Sequence, residues 1–232
     1  ALPIWAVWVE EIPPFGFKKL LVRQEEDEKP APPGNPEILE NQWYRIKTDI
    51  LKGTITSVYD KELAVELIDG KADYGLGEFI LEQLGNRSQM ESRMLNDFTR
   101  KPLDTIWFDS ASGGDIWNTL KFCGESETAI GQRGFTFEIR LHNADKRIEL
   151  TFSIVKRSIT DPESFYIAFP FGIEDGRHYT EVAGGVIETG ADQIKGSSND
   201  WYTVQNFTSV RNTEMQVVLG CNEMPLMQFG SI

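Results

Sequence analysis

Between residues 192 and 205 the chain reads D-Q-I-K-G-S-S-N-D-W-Y-T-V-Q, and this stretch gathers residue types that can hold a sugar. Asp192, Gln193, Asn199 and Asp200 are hydrogen-bond partners for hydroxyl groups. Trp201 and Tyr202 offer flat apolar rings on which the C–H face of a sugar can stack, each with a polar tip beside it. Adjacent strand residues project to opposite faces. One of the two rings is therefore expected in the core and the other at the ligand. Val204 and Phe207 add to the structural share of the same strand. These six residues, from Asp192 to Tyr202, are the candidate carbohydrate-binding set.

Other chemistries find less support. A metal site needs several His, Cys, Asp or Glu ligands converging. The chain has two histidines, His142 in an expected hairpin turn and His178 in an expected loop, and neither sits in a ligand-spaced motif. No G-x-S-x-G elbow is present. Ser197 and Ser198 read as turn residues. Glycoside hydrolysis needs two carboxylates about 5 to 10 Å apart, and Asp192 with Asp200, or Glu174 with Asp175, could supply a pair. With 36 acidic residues such pairs arise by chance, so no catalytic residue is assigned. The sequons at Asn86 and Asn206 are likewise expected by chance.

The elements that must position these groups are strands. F-T-F-E-I-R-L-H places Phe135, Phe137, Ile139 and Leu141 on one face, and I-E-L-T-F-S-I does the same with Ile148, Leu150, Phe152 and Ile154. The N-A-D-K-R turn between them predicts an antiparallel hairpin. F-Y-I-A-F-P-F-G-I follows with Phe165, Ile167, Phe169 and Phe171 aligned, and Pro170 predicts an edge or a bulge there. W-Y-R-I-K, G-T-I-T-S-V-Y, W-Y-T-V-Q-N-F and M-Q-V-V-L-G supply further strands. The helical spacing of Met90, Met94 and Leu95 predicts a turn or two of helix within residues 88–98. This content predicts an all-β, antiparallel sandwich.

Residues 1–23, with alternation around P-P-F-G-F, read as the last hairpin of a preceding β module. Residues 24–36 are acidic and carry Pro30, Pro32, Pro33 and Pro36, which withhold ladder donors, so they read as a linker. Residues 37–232 then form one large sandwich domain. Both ends read as strands entered or left midway, which predicts a piece of a longer protein.

Length and charge bound the rest. A chain of 232 residues with 40% hydrophobic residues can bury a sizeable core. A net charge of -13 and the lack of any basic run exclude nucleic acid and anionic membrane surfaces as partners. No stretch has the ~18 apolar residues of a membrane helix, and the N-terminus lacks the basic region of a signal peptide. The compartment stays open. Cys123 and Cys221 read as buried free thiols, with a pairing between them left open.

Several stretches resemble the β-rich region that follows the catalytic barrel in glycoside hydrolase family 38, the α-mannosidases, in its bacterial branch. They are V-E-E-I-P-P-F-G-F-K, L-E-N-Q-W-Y-R-I-K followed by G-T-I-T-S-V-Y-D-K-E-L, the run G-G-V-I-E-T-G-A-D-Q-I-K-G-S-S-N-D-W-Y-T-V-Q-N-F, and P-L-M-Q-F-G-S-I. The resemblance runs from about residue 7 to the end and implies a galactose-mutarotase-like supersandwich. It also implies that zinc, its ligands and the nucleophile belong to a catalytic barrel absent here, so that this chain carries no cofactor of its own. The implied partners are that barrel and carbohydrate, with the loop from Asp192 to Asp200 and Trp201 at the rim of the site. Asn199 departs from the pattern, because related sequences often carry Arg there, and Asn lacks the fixed fork of a guanidinium.

Three readings follow. The chain is a non-catalytic β region beside a glycoside hydrolase barrel, with an apolar patch where the barrel sat. Alternatively it is a stand-alone carbohydrate-binding module. A mutarotase-type epimerase using Glu174 and His178 as acid and base is the third.

Overall fold

The computed structural model describes residues 6–21, 34–92, 96–197, 201–221 and 223–230. The protein is almost wholly β, built from antiparallel sheets with one short helix among the described residues. None of its described helices is long and apolar enough to cross a membrane. The chain forms two compact units. One comprises residues 1–66 and 70–170, the other residues 67–69 and 171–232.

The described residues of the first unit form three sheets. In the first, β1 (Ile38–Glu40), β2 (Tyr44–Asp49), β3 (Thr54–Asp60) and β4 (Val65–Glu66) run in sequence order. Ile46 faces Val58 and Thr48 faces Ile55, all buried. A bulge at Thr56 absorbs one extra residue between Ile55 and Val58. Without it strict alternation would send one of those two side chains to solvent. The turn before β3 depends on Gly53, whose φ of +59° suits glycine and whose added Cβ would collide with Ile106.

The second sheet runs β10 (Ile148–Ile154), β9 (Phe135–His142), β8 (Trp117–Glu125) and β7 (Thr105–Ser112). The predicted hairpin is present, with Phe137 opposite Phe152. Their rings stack at 4.5 Å, and Phe122 lies 6.1 Å from Phe137 on the other side. Phe135, Phe137, Ile139 and Leu141 are all buried, as their alternation predicts. The third sheet orders β11 (Glu163–Ile167), β5 (Phe79–Leu84) and β6 (Phe98–Lys101). Phe79 joins it to the core through Phe135 at 5.0 Å and Phe165 at 5.5 Å. β11 is an edge strand, as Pro170 suggested, but it ends at Ile167 rather than running on to Phe171.

The second unit has a sheet ordered β13 (Gly185–Glu188), β12 (Arg177–Val182), β15 (Phe207–Arg211) and β16 (Gln216–Gly220). A two-stranded sheet pairs β14 (Trp201–Thr203) with β17 (Leu226–Gln228). Thr180, Thr208 and Val210 are buried on one face of the larger sheet, with the two threonine hydroxyls 3.3 Å apart.

Several local expectations are corrected. The W-Y-T-V-Q-N-F run is two strands in different sheets. The backbone of Val204 bonds to Pro225, whereas Gln205 and Asn206 bond to Glu181, so the chain changes partners there. The turn or two of helix expected within residues 88–98 is α1, Ser88–Ser92. The Gln89 side chain accepts from the amides of Asn96 and Asp97 and donates to the Asp97 carbonyl, closing the loop that follows. Met94 and Leu95 lie outside the described residues. No strand forms in residues 6–21, where a hairpin was expected. Pro13 and Pro14 withhold their donors, and Phe15 and Phe17 stand exposed. Most of the expected linker lies outside the described residues. His142 is not a surface turn residue but ends β9 and is 3% exposed. His178 lies in strand β12 rather than in a loop.

Candidate functional site

Unit two builds the candidate stretch from a hairpin and a neighbouring strand. Val182 pairs with Gly185, leaving a two-residue turn whose second position is Gly184 at φ +89°. After β13 the chain turns back on itself. Asp192 Oδ2 accepts from the Glu188 amide at 2.7 Å, and the Asp192 amide donates to the Glu188 carbonyl at 3.1 Å. The carboxylate of Asp192 thus closes its own turn and stands exposed. Thr189 anchors the turn to β12 by donating to the His178 carbonyl at 2.7 Å. Ser197 is a turn residue as expected, donating to the Ile194 carbonyl through both its amide and its hydroxyl.

β14 then separates the two rings. Tyr202 is 6% exposed and Trp201 40%. Alternation required one core ring and one surface ring, and it assigns them in that order. The Tyr202 hydroxyl donates to Gln193 Oε1 at 2.8 Å. Its ring meets the edge of Phe229 at 5.2 Å, and Phe229 lies 5.1 Å from His178. Tyr202 is therefore a buried post whose hydroxyl orients the Gln193 amide. Packing around the His178 ring disfavours its charged form and lowers its pKa, although the residue keeps an exposed edge. Asn199 and Asp200 lie outside the described residues. Of the predicted set, Gln193 and Tyr202 are brought together, Asp192 serves its own turn, and Trp201 presents its ring on the opposite face.

Removing the Tyr202 hydroxyl isolates the Gln193 contact. Tyr202→Phe is expected to cost about 1 kcal/mol while leaving the strand paired. Thermal melts together with the Gln193 side-chain amide signal check this. An unmoved amide signal would show that the contact does not orient Gln193.

Two clefts lie in the first unit. One, of about 300 Å³, is lined by Gln83, Arg87, Thr99, Asp161 and Glu163 among others. The second, of about 390 Å³, is lined by Asp104, Glu125, Glu127 and Arg157 among others. Neither could be found from periodicity, because each joins residues from distant strands. The described residues include no cluster of three or more His, Cys, Asp or Glu able to hold a metal.

The first unit also carries polar networks that the sequence did not expose. Asp60, 2% exposed, receives Lys146 Nζ at 2.8 Å and the amides of Glu62 and Leu63 at 3.0 Å each. Lys146 also meets Glu62 at 2.7 Å. His142 lies 3.1 Å from both Glu149 and Arg147. With Arg147 donating to Nδ1, the imidazole donates from Nε2 to Glu149. Both networks tie strand ends together, which is a structural role.

The fold defines the class as an all-β protein of antiparallel sheets. No family model matches the chain, and no curated protein matches it significantly.

Proposed function

We propose that the chain is the non-catalytic β region of an α-mannosidase-like glycoside hydrolase, set beside a catalytic domain and edging its carbohydrate cleft. The resemblance of the G-G-V-I-E-T to T-V-Q-N-F run supports this reading, and so does the antiparallel β architecture. The observation that carries it is the back-to-back pair in β14, where Trp201 is exposed and Tyr202 locks Gln193 from behind. The exposed Trp201 ring suits a sugar's apolar face.

Incubation of the chain with an aryl α-mannoside tests the non-catalytic half. No release of the aryl group above the uncatalysed rate is expected, and turnover at an enzyme-like rate would overturn the reading. Calorimetric titration with mannose oligosaccharides tests the cleft-edge half. One edge of a cleft binds weakly by itself, with a dissociation constant above about 1 mM. Saturable micromolar binding, abolished by Trp201→Ala, would favour the second reading, a module that binds carbohydrate unaided.

A further inference from the structure

The three-stranded sheet of the first unit carries a cross-strand row in which Glu163 faces Gln83 and Gln83 faces Thr99. Residues directly opposite one another in antiparallel strands project from the same face. All three line the cleft of about 300 Å³, with Arg87 and Asp161 beside them. Volumes of this order lie at the lower bound for small-molecule sites.

Glu163 sets the chemistry. Its side chain is 5% exposed. Its Oε1 is ion-paired with Lys156, whose ammonium is steadied 5.5 Å from the Phe165 ring centre. Both carboxylate oxygens are buried without a hydrogen bond of ordinary geometry, Lys156 meeting Oε1 as an ion pair. A buried carboxylate oxygen without a donor is costly, and as an acceptor it can be satisfied only by a group that brings a proton. Lys156 and Arg87 match the charges of Glu163 and Asp161. A divalent cation prefers several uncompensated oxygen ligands, and an anion would meet two carboxylates. The remaining lining groups, an amide at Gln83 and a hydroxyl at Thr99, both donate and accept.

We propose that this cleft binds a neutral polyol of monosaccharide size, with a ligand hydroxyl donating to Glu163 Oε2. The site is independent of the Asp192–Tyr202 stretch, since all its groups belong to the first unit. No aromatic platform lines it, so affinity rests on hydrogen bonds and is expected on the order of millimolar.

Titration of the ¹⁵N-labelled chain with methyl α-D-mannopyranoside reads the two places separately, by residue. Saturable shifts at the Gly85, Arg87 and Thr99 amides are expected whether or not Gln193 responds. Glu163→Gln should weaken binding about tenfold, and the rim variant Thr99→Val about threefold. If Glu163→Gln does not fold, Thr99→Val decides. Absence of shifts at these amides overturns the proposal. So do shifts produced only by calcium chloride or by free glycine, or wild-type affinity in the folded variants.

Discussion

Phe137→Ala is expected to lower the unfolding free energy of the first unit by about 4 kcal/mol, within the range measured for buried Phe truncations. The ring is fully enclosed. It stacks on Phe152 at 4.5 Å and faces Phe122 at 6.1 Å, so its removal opens a gap between two aromatic rings. The neighbourhood cannot easily collapse, because the strands on both sides are held by continuous ladders. Urea denaturation followed by tryptophan fluorescence gives the value. A loss below about 1 kcal/mol would mean that the site relaxes freely, contrary to the packing described.

Asp60→Ala is expected to cost about 3 kcal/mol, since it removes one partner of a buried ion pair and strips two backbone amides of their acceptor. The effect depends on pH at both ends. Burial alone would raise the Asp60 pKa, but the Lys146 ammonium and the Leu63 and Glu62 amides outweigh it and hold the carboxyl below its ordinary value. The stabilisation is therefore complete above the unfolded value of about 3.9 and is lost as pH falls through the depressed one. For Lys146, burial opposes the charge, yet bonds to Asp60 and Glu62 push its pKa up to about 12. That contribution is complete below the unfolded value of about 10.4 and disappears as pH rises through the folded one. The stability gap between wild type and variant should be flat near neutrality and should shrink in strong acid and in strong base. A gap that persists unchanged at about pH 2 would remove the pair as its source.

The parts of the fold legible in the sequence are those where local pattern and tertiary partner agree. The hairpin of β9 and β10 is such a case. Its alternation, its turn residues and its buried row all point one way. Trp201 and Tyr202 are another, because the two-residue period alone demands opposite faces. Legibility ends where a distant partner decides. Val204 interrupts an apparently continuous strand because Pro225 supplies its bond, 21 positions away. The loop after α1 is another case, because the Gln89 side chain takes up backbone groups at Asn96 and Asp97. His142 looked like a turn residue because its neighbours are polar. Its burial comes from Trp117, Glu149 and Arg147 closing around the ring. The cleft at Glu163 was invisible for the same reason, since Gln83 and Glu163 meet only through the pairing of β5 with β11.

Each compact unit encloses one sulfhydryl, Cys123 in the first and Cys221 in the second, both shielded and unpaired. At Cys221 burial also holds the proton on sulfur, which suppresses the reactive thiolate. Alkylation by a small maleimide therefore proceeds only through transient opening. The wild-type chain thus carries two native clocks. Resolving the modified peptides by mass would time the breathing of each unit separately, with no engineered label.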